Sequence, residues 1–302
     1  MPAPPVIRRY EPADFDAVAA LAVAASASPS TACGQPDVAS VNEFETDYGH
    51  RNLEAEGWVA VADAAVVGFA AAQLRQGVAL VDGPIVAEAF RGRGLGTTLF
   101  TRVEADAGQA GAEAIETGVR ATNERGWAFL GGRGYEPNRE IFVYEAYERV
   151  NVPTRLPAGY RVVDLAPRYL VPFLMVMQEC FPGYRLPSTP QRLFEPDKMK
   201  IFLALDGQDR VAGAVTAFYY PEDELGYVYH LGVSEPHRRR GLAHGMLAAA
   251  CDWLWDVHRP RLIGVSTSDA LGVRRQLFEP FGFGLTYSLR YARKPLGASV
   301  FR

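Results

Sequence analysis

Several signals that would assign a function quickly are missing from these 302 residues. The three cysteines, Cys33, Cys180 and Cys251, are widely spaced and odd in number. They make neither a disulfide framework nor a metal motif, and such a set suits a reducing cytosol. The five histidines include no His-x-x-x-His pair. His237 and His244 therefore read as solvated neighbours of a loop, and no metal is expected. Basic residues number 31 against 35 acidic ones, a net charge of −4, so no overall field favours nucleic acid. No apolar run approaches the length of a transmembrane helix, so no membrane partner is expected. A faint secretory look at Ala17 to Ala27 is broken by Glu11, Asp14 and Asp16, where a signal would be basic. The expected location is the cytoplasm. A Gly-Lys-Ser/Thr phosphate loop is also absent.

The sequence does contain a glycine-rich junction. The apolar run Ala79 to Val86 reads as a buried strand. Arg91-Gly92-Arg93-Gly94-Leu95-Gly96 follows, and then Leu95, Leu99 and Val103 fall on one helical face. Glycines at such a junction let the backbone approach a ligand closely. The free N–H groups of the first helical turn, aided by the helix dipole, form a seat for an anion such as phosphate. Arg91 and Arg93 add positive charge there.

The pattern occurs twice. Val233 precedes Arg238-Arg239-Arg240-Gly241-Leu242-Ala243, with Arg238 and Gly241 each 147 residues after Arg91 and Gly94. Gly68 and Gly213, both inside apolar runs, are 145 apart, and Gly134-Tyr135 and Gly282-Phe283 are 148 apart. Near-constant spacing over half the chain indicates an internal duplication. The length accommodates two domains of about 150 residues. The boundary falls in Arg149 to Gly159, which holds Pro153 and Pro157 and few large apolar groups, so the domains are expected at 1–150 and 151–302.

The Arg-x-x-Gly-x-Gly/Ala signature resembles the acetyl-CoA loop of the GCN5-related N-acetyltransferases, and the chain is similar to a tandem member of that superfamily over nearly its whole length. The resemblance implies two tandem acyl-CoA N-acyltransferase domains. It also implies acetyl-CoA as cofactor, with its pyrophosphate on the amides of Arg91 to Gly96 and of Arg238 to Ala243, after Val86 and Val233. Asn123 stands where the family often contacts the pantetheine arm, and an N-cap role for it is equally sensible. A dinucleotide fingerprint is a rival, since Glu116 lies 20 residues after Gly96. Thr97 replaces its last glycine, however, and the loop follows several strands instead of the first.

Strands are expected at Val6–Tyr10, Trp58–Ala62, Val66–Gln73, Ala79–Val86 and Ala114–Val119. Helices are expected at Ala13–Ala25, Asn42–Glu56, Gly96–Ala110 and Asn123–Leu130, with Glu140–Tyr147 closing the first domain. The order recurs from Tyr160, with a helix at Ala270–Phe278 and a last strand at Leu285–Ala292. Strand pairs mixed with helices imply an α+β class, each domain a mixed, mostly antiparallel sheet flanked by helices.

Acetyl transfer to an amine needs a base for the acceptor, a donor for the carbonyl oxygen and an acid for the leaving thiolate. In the family a carboxylate near the end of the fourth strand often serves as base. Asp82 stands there in the first half and Tyr229 in the second, and these are the two catalytic candidates. Alternation places Tyr227 beside Tyr229 and turns Glu224 and His230 to the other side. The family's acid tyrosine is replaced by Leu130 and Phe278; Tyr135, Tyr144 and Tyr287 are possible substitutes. Glu43, Glu45 and Asp47 fall on the acceptor-lining helix. Phe181, Tyr184, Phe194, Phe202, Tyr219 and Tyr220 enrich the second half's acceptor region. The expected function is acetyl-CoA-dependent acetylation of a small amine-bearing molecule, with cofactor bound at least in the first half. An acyl-CoA-binding protein without turnover and a nucleotide-dependent oxidoreductase are the alternatives. Neither the acceptor nor the oligomeric state follows from these residues.

Overall fold

The computed structural model describes residues 4–28, 30, 38, 40–152, 156–182, 184, 197–268 and 276–296, with backbone alone at Thr46 and Asp47. The chain forms two compact units, Met1–Ile141 with Tyr287–Arg302, and Phe142–Thr286.

Unit 1 is built on strands β1 (Val6–Arg9), β2 (Gly57–Ala62), β3 (Ala65–Arg75), β4 (Val78–Val86) and β5 (Ala114–Arg120), adjacent in that order. The first three pairings are antiparallel. β4 and β5 are parallel and pair only from Val78↔Ala114 to Val81↔Thr117, after which the two strands part. Alternate side chains face opposite layers. Val59, Phe69, Ala71 and Ile85 meet α1 (Phe15–Ser26) and α2 (Val41–Tyr48) through Val18, Ala22, Phe44 and Tyr48. Ala60, Val67, Ala70 and Val81 meet α4 (Leu95–Gln109) through Leu99, Phe100 and Val103. Each of those three side chains is at most 1% exposed, a burial that contributes about 1.5–3 kcal/mol per residue. The sequence landmark Gly68 now has its reason: a Cβ there would stand 2.9 Å from Leu99 Cδ1. The expected helix over Asn42–Glu56 is two helices. α2 ends at Gly49, and Asn52 Oδ1 accepts from Ala55 N to start α3 (Leu53–Glu56). Asn123 caps α5 (Glu124–Gly131) in the same way.

Unit 2 repeats the plan with the end of β6 (Glu136–Ala146), then β7 (Arg161–Asp164), α6 (Leu170–Cys180), β8 (Met199–Leu205), β9 (Val211–Tyr220), β10 (Leu225–Val233), α7 (Leu242–Trp253) and β11 (Leu262–Ser268). The strand order is β6-β11-β10-β9-β8-β7. β10 and β11 are parallel from Leu225↔Leu262 to Val228↔Val265 and then part, as β4 and β5 do. Gly213 lies under Met246 as Gly68 lies under Leu99; its Cβ would stand 2.8 Å from Met246 Cε. The helix expected at Ala270–Phe278 lies largely outside the described residues.

The units do not follow the linear division 1–150 and 151–302. Residues 142–146 of β6 belong to unit 2, where Tyr144 and Ala146 are buried with Phe278 and Phe283. From Tyr287 onward, β12 (Gly284–Pro295) belongs to unit 1 and pairs antiparallel with β5, Leu289↔Arg120 to Pro295↔Ala114. A drop in apolar content marks a linker; it does not say which sheet the strand before it joins.

Candidate active site

In unit 1 the loop after β4 ends on Gly94, whose φ of 79° is left-handed, and α4 starts at Leu95. The first intrahelical donor is Thr98 N, which bonds Gly94 O at 3.0 Å. The N–H groups of Leu95, Gly96 and Thr97 precede it and have no intrahelical acceptor. A Cβ on Gly92 or Gly94 would meet no atom within 4 Å, so the loop is open above its backbone. Arg91 does more than add charge: its Nε donates to Val86 O at 2.8 Å and ties the loop to the end of β4.

Unit 2 reproduces this in detail. Gly241 has φ 83° and starts α7 at Leu242, and Gly245 N bonds Gly241 O at 3.3 Å. Arg238 Nε donates to Val233 O at 2.9 Å. Arg239 holds φ 59° where unit 1 has Gly92 at 74°. Ala243 replaces Gly96. Arg240 reaches Tyr160 Oη at 3.3 Å and Pro236 O at 3.2 Å. The two histidines expected to be solvated are half-buried and bonded instead. His237 Nδ1 lies 2.9 Å from Tyr160 Oη, and His244 Nε2 lies 2.8 Å from Gln276 O.

A cleft of about 460 Å³ opens beside the first loop. Gly92, Gly94, Leu95 and Gly96 form one end; Pro84, Val86, Thr117, Val119, Asn123 and Leu130 continue it along the parting of β4 and β5. Arg93, whose guanidinium lies over the Phe90 ring at 5.8 Å, stands beside the same loop. Asn123 is 5% exposed, and its Oδ1 accepts from Gly126 N at 2.8 Å, so it caps α5 and lines the cleft at once. Gly83, Phe90, Thr117, Arg125 and Phe129 also line it and were not anticipated. Only Gly83-Pro84 carried a signal, as a strand-breaking pair. The β3–β4 ladder jumps from Phe69↔Ile85 to Ala71↔Asp82 around it, and Gly83 holds φ 82°. A Cβ at Gly83 would stand 2.8 Å from Phe69 O, which only glycine avoids.

The cleft suits a ligand with an anionic end and a long, mostly apolar arm. Its glycine end offers amides without an intrahelical acceptor at the positive end of a helix dipole. Beyond that end the wall is mostly apolar, with a few polar groups.

Asp82 does not line the cleft. It is 2% exposed and is ion-paired with Arg51, whose side chain is 7% exposed and also bonds Glu56 at 2.8 Å. Burial pushes the Asp82 carboxyl above the usual range, against the pull of Arg51 and of Tyr48. A carboxylate held this way does not meet an amine directly. Tyr229 is half-buried, its hydroxyl 2.8 Å from that of Tyr220, and its ring packs on Tyr227 at 4.4 Å. The β9–β10 ladder jumps from Tyr229 to Gly232, and His230 within the jump has φ 48°. Simple alternation fails there, and the His230 ring lies 6.0 Å from Tyr229.

Leu130 is in the cleft wall, and Phe278 is buried in the core of unit 2. Tyr135 donates to Glu104 at 3.0 Å, Tyr144 packs on Phe278, and Tyr287 lies 3.8 Å under Arg120; none lines the cleft. Glu45 is exposed and Glu43 half-buried on α2, outside the cleft lining. Phe202 is core, Tyr219 stacks on His258, and Phe194 lies outside the described residues. Glu116 is engaged by Asn138 and Arg139 at 2.6 Å each, which removes it from any ribose-binding role. Among the described residues no cluster of metal-binding side chains occurs, and no helix is long and apolar enough to cross a membrane.

Residues 23–135 and 170–283 match the Acetyltransferase (GNAT) family, each match containing one copy of the loop. The chain belongs to the GNAT family. Solved GNAT structures share its fold. One is a GCN5-related N-acetyltransferase from Sphaerobacter thermophilus, at 22% identity and TM-score 0.80, covering 96% of this chain and 95% of that one. Another is a tandem GNAT protein from the clavulanic acid biosynthesis pathway, at 17% identity and TM-score 0.73, covering 98% of each chain. A third is the glucosamine N-acetyltransferase region of a fungal multi-domain GH3 beta-N-acetylglucosaminidase, at 16% identity and TM-score 0.75, covering 97% of this chain and 38% of that one. No curated protein sequence matches the chain. As a GNAT pair, the two halves are two domains of one α+β fold with a mixed sheet and flanking helices.

Proposed function

We propose that this GNAT protein transfers an acetyl group from acetyl-CoA directly to the amine of a small molecule, with cofactor bound at least in unit 1. The observation that carries the reading is the cleft of about 460 Å³ running from the open loop at Gly92 and Gly94 along the parting of β4 and β5. Acetyl-CoA, when bound, supplies the acetyl thioester and its leaving thiol. The chain's part is to hold and orient. The N–H groups of Leu95, Gly96 and Thr97 receive the diphosphate, with Arg93 adding charge and Arg91 fixing the loop. Pro84, Val86, Thr117 and Val119 exclude water from the arm, and Asn123 stands in the wall beside it. An acceptor held within reach of the thioester gains the rate advantage of a reaction inside one complex.

Asp82 serves this site through Arg51. The pair anchors the chain between α2 and α3 to β4 beside the ladder break, and so shapes the acceptor side instead of accepting the proton. A cytoplasmic location and a small amine as partner complete the reading. The glucosamine-acetylating relative among the similar folds is one member that acts on such an amine.

Binding without turnover is the second reading. It is favoured by Leu130, an apolar residue in the cleft wall where the family's acid would stand. Thiol release from acetyl-CoA over a panel of small amines separates the two. Release that falls on Arg91→Ala supports transfer; tight acetyl-CoA binding with no release on any amine supports the inert reading. Failure of acetyl-CoA to bind at millimolar excess removes both.

A further inference from the structure

Unit 2 has a side chain at its ladder break that unit 1 lacks. His230 occupies the place of Gly83, 147 residues on, and Gly83 lines the cleft of unit 1. It lies two residues past Val228, the last residue of β10 paired to β11, and so at the mouth of the gap between those strands. The jump in the β9–β10 ladder and the φ of 48° turn its ring out of the strand's alternation; bulges re-aim side chains in this way.

The ring is framed on three sides. Phe181 and Tyr184 meet it edge-on, with centroids at 5.3 and 5.2 Å, and Tyr229 lies at 6.0 Å. Gly232 allows this closeness, since a Cβ there would stand 3.0 Å from Phe181 Cε2. His230 as a residue remains exposed, and neither ring nitrogen has a hydrogen-bond partner among the described residues. The imidazole is thus positioned by packing, with its nitrogens left over.

We propose that His230 is a catalytic residue of unit 2, accepting the proton of the acceptor ammonium next to the second acetyl-CoA seat. The proposal rests on the acetyl-transfer reading and adds a second reaction centre to it. The seat it needs is in place, with Gly241 at φ 83° and Arg238 tied to Val233 O. In the step, R–NH3+ gives one proton to an imidazole nitrogen, and the freed lone pair forms the N–C bond to the acetyl carbonyl. The C–S bond breaks, and the departing thiolate takes a proton from the imidazolium or from water. The rings packed around it partly desolvate the imidazole and hold His230 below the usual histidine pKa, so the ring is neutral and able to accept at pH 7. The titratable groups in ring contact with it are Tyr184 and Tyr229, and among the described residues no charged group contributes to the shift.

The test uses the full chain with the unit 1 seat disabled by Arg91→Ala and Gly94→Ala, so that turnover reports unit 2, together with acetyl-CoA, a panel of small primary amines, and His230→Gly and His230→Gln in that background. Glycine suits the left-handed backbone and stands at the equivalent place in unit 1. Both variants are expected to lose about a hundredfold or more in kcat/KM while binding acetyl-CoA calorimetrically as their background does. Added imidazole is expected to restore turnover in His230→Gly, which a purely structural role would not allow. Independently of turnover, NMR of the 15N-labelled imidazoles should show His230 titrating below the usual histidine value without cofactor. Undiminished kcat/KM in His230→Gln, activity lost with no imidazole rescue, or a silent seat-disabled background beside an active wild type overturns the proposal and leaves acetyl transfer standing. No transfer by wild type to any amine removes the transfer reading and the proposal together.

Discussion

At Arg91 and Arg238 the two halves repeat one hydrogen bond, Nε to the carbonyl of the strand's last valine, at 2.8 and 2.9 Å. Around that shared bond the side chains have diverged. Gly92 becomes Arg239 and Gly83 becomes His230, each keeping a positive φ that glycine adopts more readily. Phe90 becomes His237, which is bonded to Tyr160, and Thr97 becomes His244, which is bonded to Gln276 O. The loop's shape has therefore outlived two of its three glycines. The arginine tie and the helix start hold it, and the lost glycines have freed positions for side chains that can do chemistry. Unit 1 has a carboxylate locked to Arg51; unit 2 has an imidazole whose nitrogens have no hydrogen-bond partner among the described residues.

The comparison breaks most severely if the chain is cut at 150/151. Fragment 1–150 lacks β12 and leaves the edge of β5 away from β4 bare along Ala114 to Arg120, while fragment 151–302 lacks the buried Tyr144 and Ala146. Neither fragment alone is expected to give a cooperative thermal melt, and mixing the two should restore one. A melt from either fragment on its own would contradict the exchange.

Next comes the carboxylate. Asp82→Asn leaves a buried Arg51 with Glu56 as its remaining acidic partner, and removing one member of a buried pair costs about 3–5 kcal/mol. Urea titration should show that loss, whereas Tyr229→Phe at the equivalent place should change stability by about 1 kcal/mol.

The seats themselves are compared by Gly94→Ala and Gly241→Ala. Each puts a Cβ into open space at a left-handed position, at a backbone cost of about 1–2 kcal/mol. Calorimetry should show acetyl-CoA affinity falling about tenfold or more at the altered seat. If both seats are used, each variant loses one of two binding events; if Gly241→Ala changes nothing, the second seat is idle.

The smallest difference lies in the hairpin turns. Unit 2 turns on Asp206, which accepts from the backbone of Arg210 and Gln208 and from the Arg210 side chain. These bonds depress its pKa to about 2. Its folded value lies below the unfolded one of about 3.9, so its stabilisation is present above about pH 4 and is lost as pH falls toward 2. Asp206→Asn should flatten that part of the acid-stability curve in the full chain.

Much of this architecture was legible because the duplication repeats physical necessities. Gly68 and Gly213 had to be small under Leu99 and Met246, and the loops had to start helices. Period-two reading failed at His230 because a ladder break resets the alternation, and a single sequence does not mark where the extra residue falls. Asp82 was placed correctly on β4, but its partner Arg51 lies between α2 and α3, in a stretch that read as continuous helix. The exchange of β6 and β12 was invisible for a related reason. Strand propensity says that a segment will pair, and the partner is chosen by packing far along the chain.

That exchange sets an order of events during synthesis. Unit 2 spans Phe142–Thr286, whereas unit 1 requires residues from Tyr287 onward. At translation rates of about 5–20 residues per second, the ribosome needs roughly ten seconds or more to pass from the end of β5 to the start of β12. Through that interval the first-made sheet has a bare edge at β5, and the half translated first is the half completed last.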